Sequence, residues 1–195
     1  EKAQADLRRG AIFYDLNRST PSRIEVYLAS IADGRGHILH RQLFLVEITS
    51  SGEMRLRQPC LFLDLIPVEG KIEVDNIIDP DQADVERFLL ERGLEPFLKK
   101  VQEERQKELD NIAKHVEISL LTLIDRQQRQ MADLLQRMSQ GEDVALALNE
   151  AARRLDELNI RLEKRRQELQ RERQLTIADL NHLGSALVLP HPERE

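Results

Sequence analysis

The sequence predicts an α+β fold: an antiparallel β-sheet, a meander of three to five strands, with a long antiparallel helical hairpin of coiled-coil type. Two periodicities and one loop predict it. Up to about residue 70 apolar side chains alternate with polar ones, the period of two of a sheet with one buried face. Beyond that point they recur at three, four and seven, the stripe of an amphipathic helix. Two long helical stretches are joined by a few residues around Gly141, and helices so joined are antiparallel neighbours. The expected division is residues 1–70 as the sheet region, 71–98 as an acidic linker and short helix, 99–183 as the hairpin, and 184–195 as a short last strand and tail.

In "RIEVYLASI" Ile24, Val26 and Leu28 alternate with Glu25 and Tyr27, and "ADGRG" follows with Asp33, Gly34 and Gly36 suited to a hairpin turn. "HILHRQLFLVEI" is the next strand, "TSSGE" the next turn, and "MRLRQPCLFLDLI" a third strand that Pro59 confines to an edge or bulges. "GAIFYDL" offers a further strand. After Pro67 and Gly70, "DPDQ" at 79–82 signals a helix start, with Asp79 as cap, Pro80 in the first position and Asp81 favoured by the dipole. That helix carries Val85, Phe88, Leu89 and Leu90, is expected to break near Gly93 and restarts at Pro96.

From there to about Met138 nothing interrupts. Leu109, Ile112, Val116, Leu120, Ile124, Met131, Leu134 and Met138 recur at three, four or seven and mark one apolar stripe over about 60 Å of helix. Gly141 stops it and Asp143 is the expected next cap. The second helix is expected to reach about His182, with Leu148, Ala151, Leu155, Leu158, Leu162 and Leu169 inward. "SALVLP", ended by Pro190, reads as a last strand returning to the sheet.

Composition narrows the function. Charged residues are 33% and aromatics 4%, the profile of much exposed helical surface over a modest core. A net charge of -6 supplies no global field for nucleic acid or anionic lipid, so any cationic surface must be local. The single cysteine, Cys60, lies in the apolar run "CLFLDLI" and reads as a small core hydrophobe; with no disulfide framework, a reducing cytoplasm is expected. No stretch approaches the roughly 20 apolar residues of a membrane helix. The start at Glu1 without methionine suggests a piece of a longer protein.

No catalytic, cofactor or metal site is expected. There is no GxxxxGK[ST] loop to cradle a triphosphate, and "GRGH" at 34–37 joins two strands instead of opening a helix. His37 and His40 stand three apart on a strand and face opposite sides. His115, His182 and His191 have no partner at ligand spacing, and His115, beside the helical stripe, reads as a packed imidazole. Glu69, Glu73, Asp75, Asp79, Asp81, Asp84 and Glu86 form a solvated acidic connector whose spacing does not follow a calcium loop.

The one concentration of positive charge is "RRLDELNIRLEKRRQELQRERQ", residues 153–174. Its acids interleave with its bases at spacings such as Glu157 to Arg161, which favours a salt-bridged coiled-coil flank over a phosphate-gripping face. Arg161, Lys164, Arg165 and Arg166 are the candidate nucleic-acid or partner contacts. Past Leu162 the inward slots fall on Arg165 and Glu172, a polar interruption of the seam and the expected place of partner contact.

The order "RIEVYLASI", "HRQLFLVEI", "MRLRQPCLFLDL", then "RRLDELNIRLEKRRQEL" and "SALVLP" resembles the C-terminal domain of RapA-type helicase-like ATPases of the Swi/Snf superfamily, over residues 11–190. The resemblance implies a non-catalytic accessory domain behind two motor lobes that bind ATP and magnesium and translocate on double-stranded DNA. It implies docking, motor bracing or DNA contact, with bacterial RNA polymerase or a phage-defence assembly as partner. None of the lobes' catalytic residues has a counterpart here. A stand-alone coiled-coil interaction module is the alternative.

Overall fold

A computed structural model describes residues 10–68 and 79–192. The chain forms two compact units, residues 1–101 with 175–195 and residues 102–174. The linker acids Glu69, Glu73 and Asp75 lie outside the described residues.

The first unit holds a six-stranded sheet. Its strands are β1 (Ala11–Asp15), β2 (Ser22–Ala32), β3 (Ile38–Thr49), β4 (Met54–Arg57), β5 (Ile66–Pro67) and β6 (Thr176–Pro190), in the order β4-β3-β2-β6-β1-β5. This is not the expected meander of three to five strands. β6 enters the middle of the sheet, antiparallel to β2 and parallel to β1. It also begins well before "SALVLP", in residues expected to be helical up to His182. The reason is long-range pairing: "TIADLNH" finds backbone partners along Tyr27–Ala32, and that ladder overrides local helix preference. Register shifts opposite Val26/Tyr27 and Ser30/Ile31 let one long strand follow another despite the imperfect alternation of its side chains.

The expected third strand divides. β4 stops at Arg57, Pro59–Leu63 form a 3-10 turn and β5 resumes at the far edge of the sheet. Pro59 is kept out of the ladder, and Cys60 on that turn is exposed, not a core hydrophobe. Between β2 and β3 the Asp33 carboxylate accepts from the backbone N–H of Arg35 (2.9 Å) and His37 (3.0 Å), while Gly36 takes a φ of 82°.

α1 (Gln82–Leu89) is capped by Asp81, whose side chain accepts from the Ala83 N–H at 2.9 Å; Asp79 is not the cap. The helix does not break at Gly93. A π-helical turn, Leu90–Leu94, carries it directly into α2 (Glu95–Ser139). In a regular helix the Pro96 ring would press on the carbonyl four residues back, and the wider turn falls at that place. Gly93 has a packing role: a Cβ there would lie 3.0 Å from Leu89 Cδ1 and 3.2 Å from Phe44 Cδ1.

α1 covers one sheet face, where Val85 and Leu89 meet Tyr27, Phe44 and Val46. The other face buries Ile24, Val26, Leu45 and Val188, so β2 is packed on both sides.

The second unit contains α2 beyond residue 101 and α3 (Ala145–Glu172). They run antiparallel, because successive cross-contacts pair rising with falling numbers: Arg105 with Glu172, Glu117 with Arg166, the Gln127 side chain with the Ala151 carbonyl. α3 ends at Glu172, ten residues short of the expected end, and its cap is Val144, with no side-chain bond from Asp143. Leu120, Ile124 and Leu162 form one buried cluster of the seam and Leu134, Val144 and Ala151 another; Met138, expected inward, is exposed.

Candidate functional site: a cationic groove along the helical hairpin

α2 and α3 have stripes four residues apart, and on one side of their seam these stripes bound a groove. Its α2 edge is His115, Ser119, Leu123 and Gln127; its α3 edge runs from Arg154 through Leu158, Arg161 and Lys164 to Glu168. Two cavities of about 650 and 350 Å³ make it up and meet at Arg161. The floor of the larger is Val116 and Leu120, which belong to the seam. Counted from His115 to Gln127, the groove is about 18 Å long.

The four candidate cations do not share one environment. Arg161, Lys164 and Arg165 line the groove, but Arg166 does not, being paired with Glu117 of α2. Arg165 is committed internally, with Nη1 at 3.0 Å from Glu168 Oε2 and 3.2 Å from Glu172 Oε1. Arg161 and Lys164 are exposed and form no salt bridge among the described residues. The pair expected between Glu157 and Arg161 is absent, since Glu157 faces Arg153 at 3.7 Å instead. Arg154 is bound to Glu150 at 3.0 Å, and Arg173 to Asp110 of α2 at 2.7 Å. The ion pairs of α3 therefore consume most of its charge and leave two cations unopposed at the groove's middle.

The polar interruption expected to meet a partner is filled from within. Glu172, 3% exposed, accepts from Arg105 (Nη2 to Oε2, 3.0 Å) as well as from Arg165, and Arg105 also holds Glu108 at 2.6 Å. A buried carboxylate between two guanidiniums compensates its own desolvation, which is why the slot tolerates charge. Arg105 was not singled out by sequence. The available signal was its place four residues before Leu109 on the inward stripe, facing a second inward charge across an antiparallel pair. His115, expected to be packed, is exposed at the groove's edge.

The sheet unit has charged clusters of its own. Glu47, 1% exposed, contacts Arg18, Arg57 and Ser22. Burial pushes its carboxyl up, but hydrogen bonds from Arg57 and Arg18 outweigh this and hold it below the usual carboxylate range. A carboxylate so held is a structural anion and a poor proton acceptor. His182 Nε2 lies 2.7 Å from Glu25 Oε2, and its ring meets that of Tyr27 at 5.0 Å; neither contact was expected from the isolated His182 of the sequence. Burial, then the charges of Glu25 and Glu86, push the Tyr27 phenol up to about 12. His37 stands 3.9 Å from Asp33. Among the described residues no three His, Cys, Asp or Glu side chains are grouped to hold a metal, and no helix is long and apolar enough to cross a membrane.

Comparison with protein-family models, with curated proteins and with solved structures gives no match.

Proposed function

We propose that this chain is a non-catalytic docking domain whose binding element is the helical hairpin. One observation carries the reading: Arg161 and Lys164 stand without internal partners over an apolar floor, on a helix whose other charges are largely spent on ion pairs. Desolvating a groove of this kind favours a macromolecular partner over a small substrate, since it is open, shallow and without a buried acid or base to drive a reaction.

The setting we propose is the one the sequence resemblance implies, a C-terminal accessory domain of a RapA-type, DNA-translocating ATPase. ATP and magnesium belong to the motor lobes of that parent, and double-stranded DNA or a protein such as RNA polymerase is the class of partner such an arm meets. The test is the open reading frame before residue 1 together with an ATPase assay of the 195-residue chain. Two nucleotide-binding lobes upstream and no hydrolysis by the chain alone are expected. A reading frame without such lobes removes the motor setting, and turnover by the chain removes the non-catalytic reading.

The rival reading, a self-associating coiled coil, is favoured by Ile118, Leu146 and Ile160, which are 55%, 84% and 67% exposed on the hairpin. Sedimentation velocity separates the two: docking predicts a monomer across the concentration range, and self-association a concentration-dependent dimer.

A further inference from the structure

The geometry points to an acidic amphipathic helix, supplied by another polypeptide, as the occupant of the α2–α3 groove. The inference rests on the docking reading above and names the chemistry of the partner.

Shape comes first. Two antiparallel helices present a furrow along their seam, and the ridge that fits such a furrow is the side-chain row of a third helix. The furrow extends about 18 Å, which takes roughly 12 residues, a little over three turns. Val116, Leu120, Leu123 and Leu158 offer apolar contact along it, with Leu123 46% exposed and waiting for cover.

Charge then fixes the partner's sign and orientation about its axis. The α3 edge carries the unopposed Arg161 and Lys164, together with Arg154, Glu157, Arg165 and Glu168, each already paired with another charge of α3, while the α2 edge is Ser119, Leu123 and Gln127 with His115 at its end. Unopposed positive charge is thus confined to one edge. A docking helix places acids at the matching spacing on the flank that faces α3 and uncharged residues on the flank that faces α2. At the residue-172 end the Arg105–Glu172–Arg165 cluster closes the furrow with charges that already satisfy one another. The interhelical ion pairs Glu117–Arg166 and Asp110–Arg173 involve none of the groove's lining residues, so a helix can enter without breaking them.

Nucleic acid fits less well. Two unopposed cations neutralise few phosphates, no Phe or Tyr lines the groove to stack a base, and the leucine floor has no phosphate partner. A second copy of the hairpin would set Arg161 and Lys164 against their own kind.

The test pans the 195-residue chain against a displayed library of helical peptides about 14 residues long. Leucines are fixed at the inward positions, and the flanks vary among Glu, Lys, Gln and Ala. Selected peptides are expected to carry Glu on one flank, and a synthetic copy should bind the chain with a loss of at least about tenfold on Arg161→Glu with Lys164→Glu. A peptide with Lys on that flank should bind this double variant better than the parent chain. Arg171→Glu, an exposed change on the same helix outside the groove, should alter binding less than about twofold. Both groove positions are exposed, so circular dichroism should find the variants folded.

Selection without charge preference, or a preference unchanged in the double variant, overturns the acidic helix and leaves the docking domain standing. No selected peptide, with a 20-base-pair duplex bound through Arg161 and Lys164 instead, overturns it in favour of DNA. A dimer that the double variant abolishes overturns it in favour of a second copy. No binding to any probe removes the docking reading as well.

Discussion

In the sheet unit the Glu47 carboxylate lies between Arg18 and Arg57; in the hairpin the Glu172 carboxylate lies between Arg105 and Arg165. The device is the same, but its surroundings differ. Glu47 sits on a strand paired along its length, in a sheet whose neighbouring strand β2 is packed on both faces. Glu172 closes the last turn of a helix with a single seam, whose other sides face water. The sheet unit thus gathers its apolar contacts from segments far apart in sequence, whereas the hairpin distributes them along one line. Loss of one contact should spread through the first and stay local in the second.

The largest expected effect tests that contrast directly. Leu89→Ala removes a side chain that is 0% exposed beneath the sheet and should cost about 3–5 kcal/mol. Leu162→Ala, 8% exposed in the hairpin seam, should cost about 2–3 kcal/mol. Leu155 and Leu158, only partly buried, should cost less than Leu162. Urea titration followed by residue-resolved hydrogen exchange measures both, and with Leu162→Ala protection should fall in α3 while β2 keeps its own. Equal global losses for the two substitutions would refute the contrast.

The triads come next. Glu47→Ala strips Arg57 of its salt-bridge partner among the described residues and leaves Arg18 with Asp15 and the Ser22 hydroxyl. About 2–4 kcal/mol should be lost, less than for a sealed pair because Arg57 can reach water. Glu172→Ala leaves Arg105 with Glu108 and Arg165 with Glu168, and should cost about 1–3 kcal/mol. Thermal unfolding of the two variants side by side checks the order. Glu172→Ala should also leave peptide binding in the groove within about twofold, since Arg165, the member of the triad that lines the groove, keeps its bond to Glu168.

How much of this was legible in the sequence follows from the range of the forces involved. Local signals held where they asked only for an element: strands at "RIEVYLASI" and "GAIFYDL", the leucine stripe of the hairpin, and Gly141 with its φ of 92° at the turn. The one buried face expected of "RIEVYLASI" did not hold, since β2 is covered on both sides and buries Glu25 and Tyr27 along with Ile24 and Val26. What failed depended on partners remote in the chain. "TIADLNH" has no strand signature until β2 offers it a ladder. Gly93 reads as a breaker until Phe44, 49 positions earlier, is seen to need the space. At the groove, the sequence put forward Arg161, Lys164, Arg165 and Arg166 together and gave no sign of their division. Arg165 and Arg166 are taken by acids at inward or opposite-helix positions, and only the register between α2 and α3 decides which. Arg161 and Lys164 are what that register leaves over.

The smallest expected difference concerns pH, and it again separates the units, since both tyrosines of the chain, Tyr14 and Tyr27, lie in the sheet unit. Burial raises the Tyr27 phenol from 10.0 to about 12 in the folded state. A group whose folded pKa is raised contributes stability in full below its unfolded value and loses it as pH climbs through the folded one. Stability of the sheet unit should therefore hold to about pH 10 and decline between there and about pH 12. Glu47 has the opposite sign. Its folded value is depressed, so its contribution is present above the ordinary glutamate range near pH 4.5 and fades as pH falls through the folded value. Tyr27→Phe isolates the alkaline limb: tyrosinate absorbance should lose its step near pH 12, and the urea midpoint of the variant should fall less steeply over that interval than that of the parent. Lysines lose their charge in the same interval in both proteins, so the difference between the two curves belongs to Tyr27. Hydrogen exchange should place the parent's alkaline loss in β2 and β6, where the Tyr27 ring meets His182, before it reaches α3; loss beginning in α3 would assign the alkaline limb to the hairpin's ion pairs instead.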